Sequence, residues 1–293
     1  MAISRKVDWT KITEKMNEGT GKKAFRKDDE IAGLYVPKIK DDGTFEALIR
    51  FLPSPDTDLP FAILYNHGFE GDGGKWFIEN CPKSIGEDCP VCAHASKIWK
   101  SGDEEKARKR FKKWSVFSNI LVIKDPQTPE NEGKVFYFRY GKKMYETIRN
   151  KMLPPPGSID EPLFVFDYEE GANFKLKIKS KIIKMNGQNK AVANYDSSEF
   201  AGVSKLGTDS YINEIDSQLK PLSVFLAKDR FKDTATLIEK LNVSEAIGVT
   251  APAATQTSPS IAYNKPAAKP APVEDTTSDD GATDDEFFAS LNN

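Results

Sequence analysis

Hydrophobic and polar positions alternate with a period of two through the middle of the chain and with a helical period toward its ends. Alternating or short apolar runs bounded by Gly, Pro, Asn and Asp predict strands over residues 47–52, 61–65, 75–79, 115–123, 134–140, 163–167 and 173–183. Trp9, Ile12 and Met16 recur at helical spacing before Gly19, so a short amphipathic helix is expected after the basic pair Arg5 and Lys6. Residues 22–30 read as a polar connector. Met144, Ile148 and Met152 form one helical face that Pro154, Pro155 and Pro156 end, and two more helices are expected near residues 211–219 and 234–246. Short strands with helices appended imply an α+β fold built on a small barrel or sandwich.

Composition adds size and compartment. The 293 residues, 39% of them hydrophobic and 29% charged, can bury the core of one large or two small domains. No apolar run reaches the ~18–20 residues of a membrane span, and the N-terminus lacks the apolar stretch of a signal peptide. The expected class is a soluble cytosolic protein without membrane partners.

A net charge of −2 hides an asymmetry. From Gly248 onward Lys265 and Lys269 face seven acidic residues, a balance of −5, which leaves +3 on residues 1–247. That pattern suits a polyanion-binding core with an acidic appendage. Residues 249–273 are rich in Ala, Pro, Thr and Ser and read as an extended linker. The end of the tail mixes Asp284, Asp285 and Glu286 with Phe287, Phe288 and Leu291, the composition of a short peptide that docks on partners and competes with DNA for the basic surface. The chain thus divides into an N-terminal arm (1–20), a core (21–247) and a linker with its acidic tail (248–293).

The cysteines supply the most specific chemistry. Cys89 and Cys92 flank Pro90 and Val91 in a Cys-x-x-Cys knuckle, which lets two thiolates grip one ion from a single turn. Cys81 lies upstream across a Gly-containing loop, and His67 further back, completing a Cys3His set suited to one structural zinc ion per chain in a subdomain of about residues 60–113. His94 competes for the fourth place, but two residues after Cys92 it would point elsewhere on a helix, so His67 is preferred. A redox use of Cys89 and Cys92 would need neither Cys81 nor His67, and no βαβ pattern flanks them.

Cations beside flat rings mark a second site. The run from Lys106 to Lys113 includes Arg108, Lys109, Arg110 and Lys112 and leads into Trp114 and Phe117. In residues 135–143 Phe136, Phe138 and Tyr140 take one face of a strand and Val135, Tyr137 and Arg139 the other, followed by Lys142 and Lys143; one face is expected to be core and the other free. In residues 174–181 Phe174, Leu176 and Ile178 alternate with Lys175, Lys177, Lys179 and Lys181. Trp99 joins these as a further aromatic candidate. Cations neutralise phosphates and rings stack on unpaired bases, so the three segments are expected to share a groove for single-stranded nucleic acid. No phosphate-binding loop, Ser-His-Asp set or other catalytic centre is legible, and a zinc-ribbon protein acting on duplex DNA or in transcription is the alternative.

Several strings carry a resemblance: Ile49-Arg50-Phe51-Leu52-Pro53-Ser54, Pro60-Phe61-Ala62-Ile63-Leu64, Asn66-His67-Gly68-Phe69, Gly74-Lys75-Trp76, Cys89-Pro90-Val91-Cys92, Asn119-Ile120-Leu121-Val122, Pro129-Glu130-Asn131-Glu132-Gly133-Lys134-Val135-Phe136 and Gly171-Ala172-Asn173-Phe174. In their order and spacing the chain resembles the helix-destabilising single-stranded DNA-binding proteins of T-even-type bacteriophages across roughly residues 45–200. The resemblance implies an OB-fold-like β-barrel core with an inserted zinc subdomain and self-association along DNA. It also implies a tail that recruits replication and recombination proteins in the bacterial host cytoplasm. It matches His67, Cys81, Cys89 and Cys92 to zinc, and places Lys112, Phe117, Phe138, Arg139 and Phe174 at the DNA. The family's tyrosines are replaced at Val116 and Phe117, and the basic motif of its cooperative arm is reduced here to Ser4-Arg5-Lys6-Val7-Asp8.

Overall fold

The computed structural model describes Lys11, residues 31–185 and residues 188–247. The arm residues Trp9, Ile12 and Met16, the linker and the acidic tail lie outside the described residues. Eight strands form one antiparallel sheet: β1 (Thr44–Leu52), β2 (Ala62–Glu70), β3 (Trp76–Asn80), β4 (Lys113–Lys124), β5 (Val135–Tyr140), β6 (Ala172–Met185), β7 (Gln188–Asn194) and β8 (Glu199–Val203). Their order is β3-β2-β4-β1-β6-β7, with β5 on β4 and β8 on β6. Among the described residues of 31–247, five α-helices are appended: α1 (Pro90–Lys100), α2 (Glu104–Arg110), α3 (Lys142–Met152), α4 (Asp209–Ser217) and α5 (Thr234–Glu245). The architecture is α+β.

Strand β4 organises the sheet. Its run from Trp114 to Val122 is buried on both faces, and it pairs with β1, β2 and β5 along its length. One face, called inner here, closes on Phe51, whose ring lies 5.7–6.2 Å from those of Phe138, Tyr140, Phe166 and Phe174. Helix α3 adds Met144, Tyr145, Ile148 and Met152 to this core, as its sequence periodicity predicts.

Over β4 and β5 the outer face is covered too, which corrects the expectation that one face of β5 is free. Helix α4 buries Ile212 and Ile215 against Leu52, Leu121 and Val135. A strap over residues 219–231 then lays Leu222 and Phe225 on Ala62, Leu64, Phe117 and Tyr137. The Phe225 ring stacks on Phe117 at 4.0 Å between centroids. The strap is pinned by polar side chains of the sheet and its loops: Asn119 donates to the Lys220 carbonyl (2.8 Å), the Tyr137 hydroxyl to that of Pro221 (2.9 Å) and Asn80 to that of Arg230 (3.0 Å), while Asp56 accepts from the Leu222 amide (2.9 Å).

Residues 163–167 form no strand. Leu163, Val165 and Phe166 are buried, but the Asp167 carboxylate accepts from the Glu169 and Glu170 amides and closes a turn where a ladder would have to continue. Strands β7 and β8 went unpredicted because Gln188–Asn194 and Glu199–Val203 hold too few apolar residues in a run.

Helices α1, α2 and α5 gather at the β2–β3 end of the sheet. Helix α2 starts on the Asp103 side chain, carries Glu104 and Glu105 in its first turn and ends on Arg108, Lys109 and Arg110, the order that complements its dipole. Arg110 is 2% exposed and grips the Glu245 carboxylate with both Nε (2.5 Å) and an Nη (2.8 Å), and also reaches Asp72 (3.1 Å). Glu245 closes α5, whose Ser244 carbonyl accepts from the Gly73 amide (2.8 Å) in the β2–β3 turn. A Cβ at Gly71 would meet the Ser244 oxygen at 2.2 Å, so this turn requires glycine to let α5 approach. Glu245→Gln leaves a buried guanidinium without its bidentate partner and is expected to destabilise the fold by about 3 kcal/mol, read as a fall in melting temperature; an unchanged melting temperature contradicts the role given to this pair.

Candidate metal centre and nucleic-acid face

His67, Cys81, Cys89 and Cys92 form one cluster whose ligand atoms all lie within 4.8 Å of one another. Each comes from a different local geometry. His67 is on the inner face of β2, Cys81 follows β3, Cys89 caps α1 and Cys92 lies in its first turn. The pairing of β2 with β3 brings the first two together, and the β-conformation of Cys89 before Pro90 aims the knuckle back at them. His67 Nε2 is 3.4 Å from Cys89 Sγ and 3.5 Å from Cys92 Sγ, and the Cys81 and Cys92 sulfurs are 3.6 Å apart. A tetrahedral ion with bonds of about 2.3 Å to sulfur and 2.0–2.1 Å to nitrogen sets ligand–ligand edges of roughly 3.4–3.8 Å, so the four residues fit such an ion.

The tautomer is fixed for that purpose. His67 Nδ1 is 2.9 Å from the Arg110 carbonyl, which can only accept, so Nδ1 carries the proton and the Nε2 lone pair faces the sulfurs. Hydrogen bonds from Cys81 and Cys92 hold the Cys89 thiol far below its ordinary range, and hydrogen bonds to Cys89 and Cys92, with burial, push Cys81 up. His94 does not join the cluster. Its Nε2 lies 3.8 Å from the Glu245 carboxylate, and burial lowers its pKa.

The residues expected at nucleic acid fall in several places. Trp114, Phe117, Tyr137, Phe138 and Phe174 are all buried and packed against protein, so none offers a free ring face. Trp114 meets Tyr145 edge-on at 4.8 Å, Phe117 lies under Phe225, and Phe138 and Phe174 surround Phe51. Arg110 is the buried clasp described above. Phe117 and Tyr137 looked like surface because the strap that covers them lies far along the chain, whereas Trp114, Phe138 and Phe174 point into the inner core.

The accessible cations are dispersed. Arg108 sits over the half-buried Trp99 ring at 5.1 Å and pairs with Glu104, while Lys109 pairs with Glu105 one turn back, so this charge run is in part a neutralised helix face. Lys112 stands over the Tyr65 ring at 3.8 Å and, with Lys83, Phe111, Cys89 and Cys92, lines a cleft of about 640 Å³ beside the metal cluster. Lys113 reaches the Gly68 carbonyl (2.7 Å) on the outer face, where Arg139 donates to Ser115 (3.0 Å). Lys142 pairs with Glu146 along α3. Lys143 pairs with Asp196, and Lys175 and Lys177 with Glu199, so the β7–β8 turn and the start of β8 supply acids among the cations of α3 and β6. Lys179 is exposed. Sequence reasoning did not single out Tyr65, Tyr195 or the strap cations Lys228 and Arg230; the last two sit in a segment with no aromatic alternation to flag them. No helix among the described residues is long and apolar enough to cross a membrane.

Comparison with known proteins gives one consistent answer. Residues 43–243 match the family described as gp32 DNA binding protein like. The chain is 38% identical over 240 residues to the single-stranded DNA-binding protein of Enterobacteria phage T4, covering 79% of this chain and 74% of that protein. It is 39% identical over 239 residues to its counterpart in Enterobacteria phage T2, covering 78% and 74%. A 79-residue stretch is 47% identical to a single-stranded DNA-binding protein of Escherichia phage SV14, covering 26% of this chain and 67% of that protein.

Proposed function

The chain belongs to the gp32-like family of DNA-binding proteins, and we infer from that membership that it is a single-stranded DNA-binding protein of phage replication, a binding protein and not an enzyme. The observation that carries this reading is the identity shared with the T4 and T2 proteins over most of both chains. Binding without sequence preference follows from the chemistry: cations on phosphates and rings on base faces read no donor or acceptor code. Duplex is then destabilised by mass action, because the protein holds the melted strand. Recombination and repair, which pass through the same single strands, are part of the proposal, as is the host cytoplasm as its place of action.

The cluster of His67, Cys81, Cys89 and Cys92 would hold one zinc ion, which supplies structural bracing and, with four protein ligands, leaves no position for reactive water. The bond from His67 Nδ1 to the Arg110 carbonyl supports this reading, since it turns Nε2 toward the three sulfurs. The curled sheet closing on Phe51 supports an OB-fold-like core with the Cys/His segment inserted in it. For the DNA surface we retain Lys112, Lys113, Arg139, Lys142, Lys143, Lys175, Lys177 and Lys179 as phosphate contacts and Trp99 as an accessible ring. Self-association through the arm and recruitment of replication and recombination proteins through the tail are supported by the charge division of the chain.

Two outcomes are expected. Affinity for oligo-dT falls with salt at a log–log slope of about −0.7 per phosphate neutralised, and Arg139→Ala or Lys113→Ala makes the slope shallower by roughly that amount; a flat salt response contradicts the phosphate contacts. The purified chain carries one equivalent of zinc, and Cys89→Ser or chelation lowers both zinc content and melting temperature together. Full stability without metal contradicts the zinc assignment.

A further inference from the structure

The two faces of the β2–β3 end of the sheet are treated very differently by the rest of the chain. The inner face, with His67, Phe69, Phe77 and Glu79, is filled by the metal cluster and by α1, α2 and α5. The outer face carries Trp76 and Ile78, respectively 65% and 43% exposed, on the edge strand β3. Register fixes what shares that face. Trp76 pairs with Glu70, Ile78 with Gly68, Asn80 with Asn66, and Asn66 in turn with Lys113. The strap stops at Asn80, where it takes a hydrogen bond, and does not extend over Trp76.

Three features of this face point to a ligand with flat apolar groups strung on an anionic chain. An exposed tryptophan beside an exposed isoleucine on a short edge strand is a large apolar surface left in water. Gly68, between Ile78 and Lys113, leaves the floor low enough for a planar group to enter. Asn66 is 8% exposed, yet its side-chain oxygen has no hydrogen-bond partner, an unfilled acceptor in the floor. Charge then orients the ligand. Glu70 is exposed beside Trp76 and repels a phosphate there, whereas Lys113, two strand spacings or roughly 10 Å from Ile78, attracts one.

We propose that Trp76 is a base-stacking residue, and that the outer face of β2 and β3 takes unpaired bases onto Trp76 and Ile78 while the strand's phosphates run past Lys113 and Arg139. The proposal rests on the reading of the chain as a single-stranded DNA-binding protein and adds a contact that the buried rings of β4, β5 and β6 cannot supply. Glycine at 68 and the exposed pair at 76 and 78 then have a shared purpose: a platform on one side of a strand whose other side is braced by the metal cluster.

The test compares wild-type, Trp76→Ala and Trp76→Phe full-length chains on oligo-dT and on an abasic strand of equal length at one salt concentration. Trp76→Ala is expected to weaken oligo-dT binding on the order of tenfold with an unchanged salt slope, and to leave abasic-strand binding within twofold; Trp76→Phe keeps affinity within about threefold. Equal affinity of Trp76→Ala and wild type for oligo-dT overturns the proposal, and so does an equal loss on both strands, which would mark a structural effect. Tighter DNA binding by Trp76→Ala also overturns it, because the platform would then belong to a competing segment such as the aromatic acidic tail. If wild type itself ignores oligo-dT, the functional reading fails before this one is reached.

Discussion

Arg110 is the point through which the Cys/His cluster, the sheet and helix α5 constrain one another. Its carbonyl fixes the His67 tautomer, its guanidinium is buried against Glu245 at the end of α5, and Asp72 in the β2–β3 turn shares the charge. Removing a guanidinium and a carboxylate from water costs several kcal/mol each, and only the bidentate geometry with its further hydrogen bonds offsets that. One residue therefore holds α5 against the same strands that the cluster braces.

The consequence is a division of labour between faces. Inside, sulfur, imidazole and aromatic rings make the β2–β3 end stiff without a deep core of its own. Outside, the strap and α4 cover parts of β1, β2, β4 and β5 but leave the edge at Trp76 and Ile78 uncovered. A single-stranded DNA-binding protein gains from a surface of fixed shape, and the Cys/His cluster packed under one face of this end, with Trp76 and Ile78 exposed on the other, is placed to give one.

Much of this was legible in the sequence. The Cys89–Cys92 knuckle, Cys81 and His67 sit together as their spacing suggested, and the periodicity of Met144, Ile148 and Met152 marked α3 correctly. The misreadings of Phe117, Tyr137 and Arg110 share one physical cause. Alternation along Val135–Tyr140 shows two faces but not what covers them, and the covering groups, Leu222 and Phe225, lie some 85 residues away in a segment with little pattern. Arg110 looked like one more cation in a basic run because its partner Glu245 is still more remote, 135 residues along the chain. Trp76 and Ile78 stand on either side of Phe77, so their run reads as a strand buried on both faces, and only the structure leaves one side of it open.

The account stands on preference for the unpaired strand. Titrating the zinc-loaded chain with a single strand and with its matching duplex, at equal length and equal salt, measures that preference directly. The account predicts at least tenfold tighter binding to the single strand, and equal affinity for the two would contradict it.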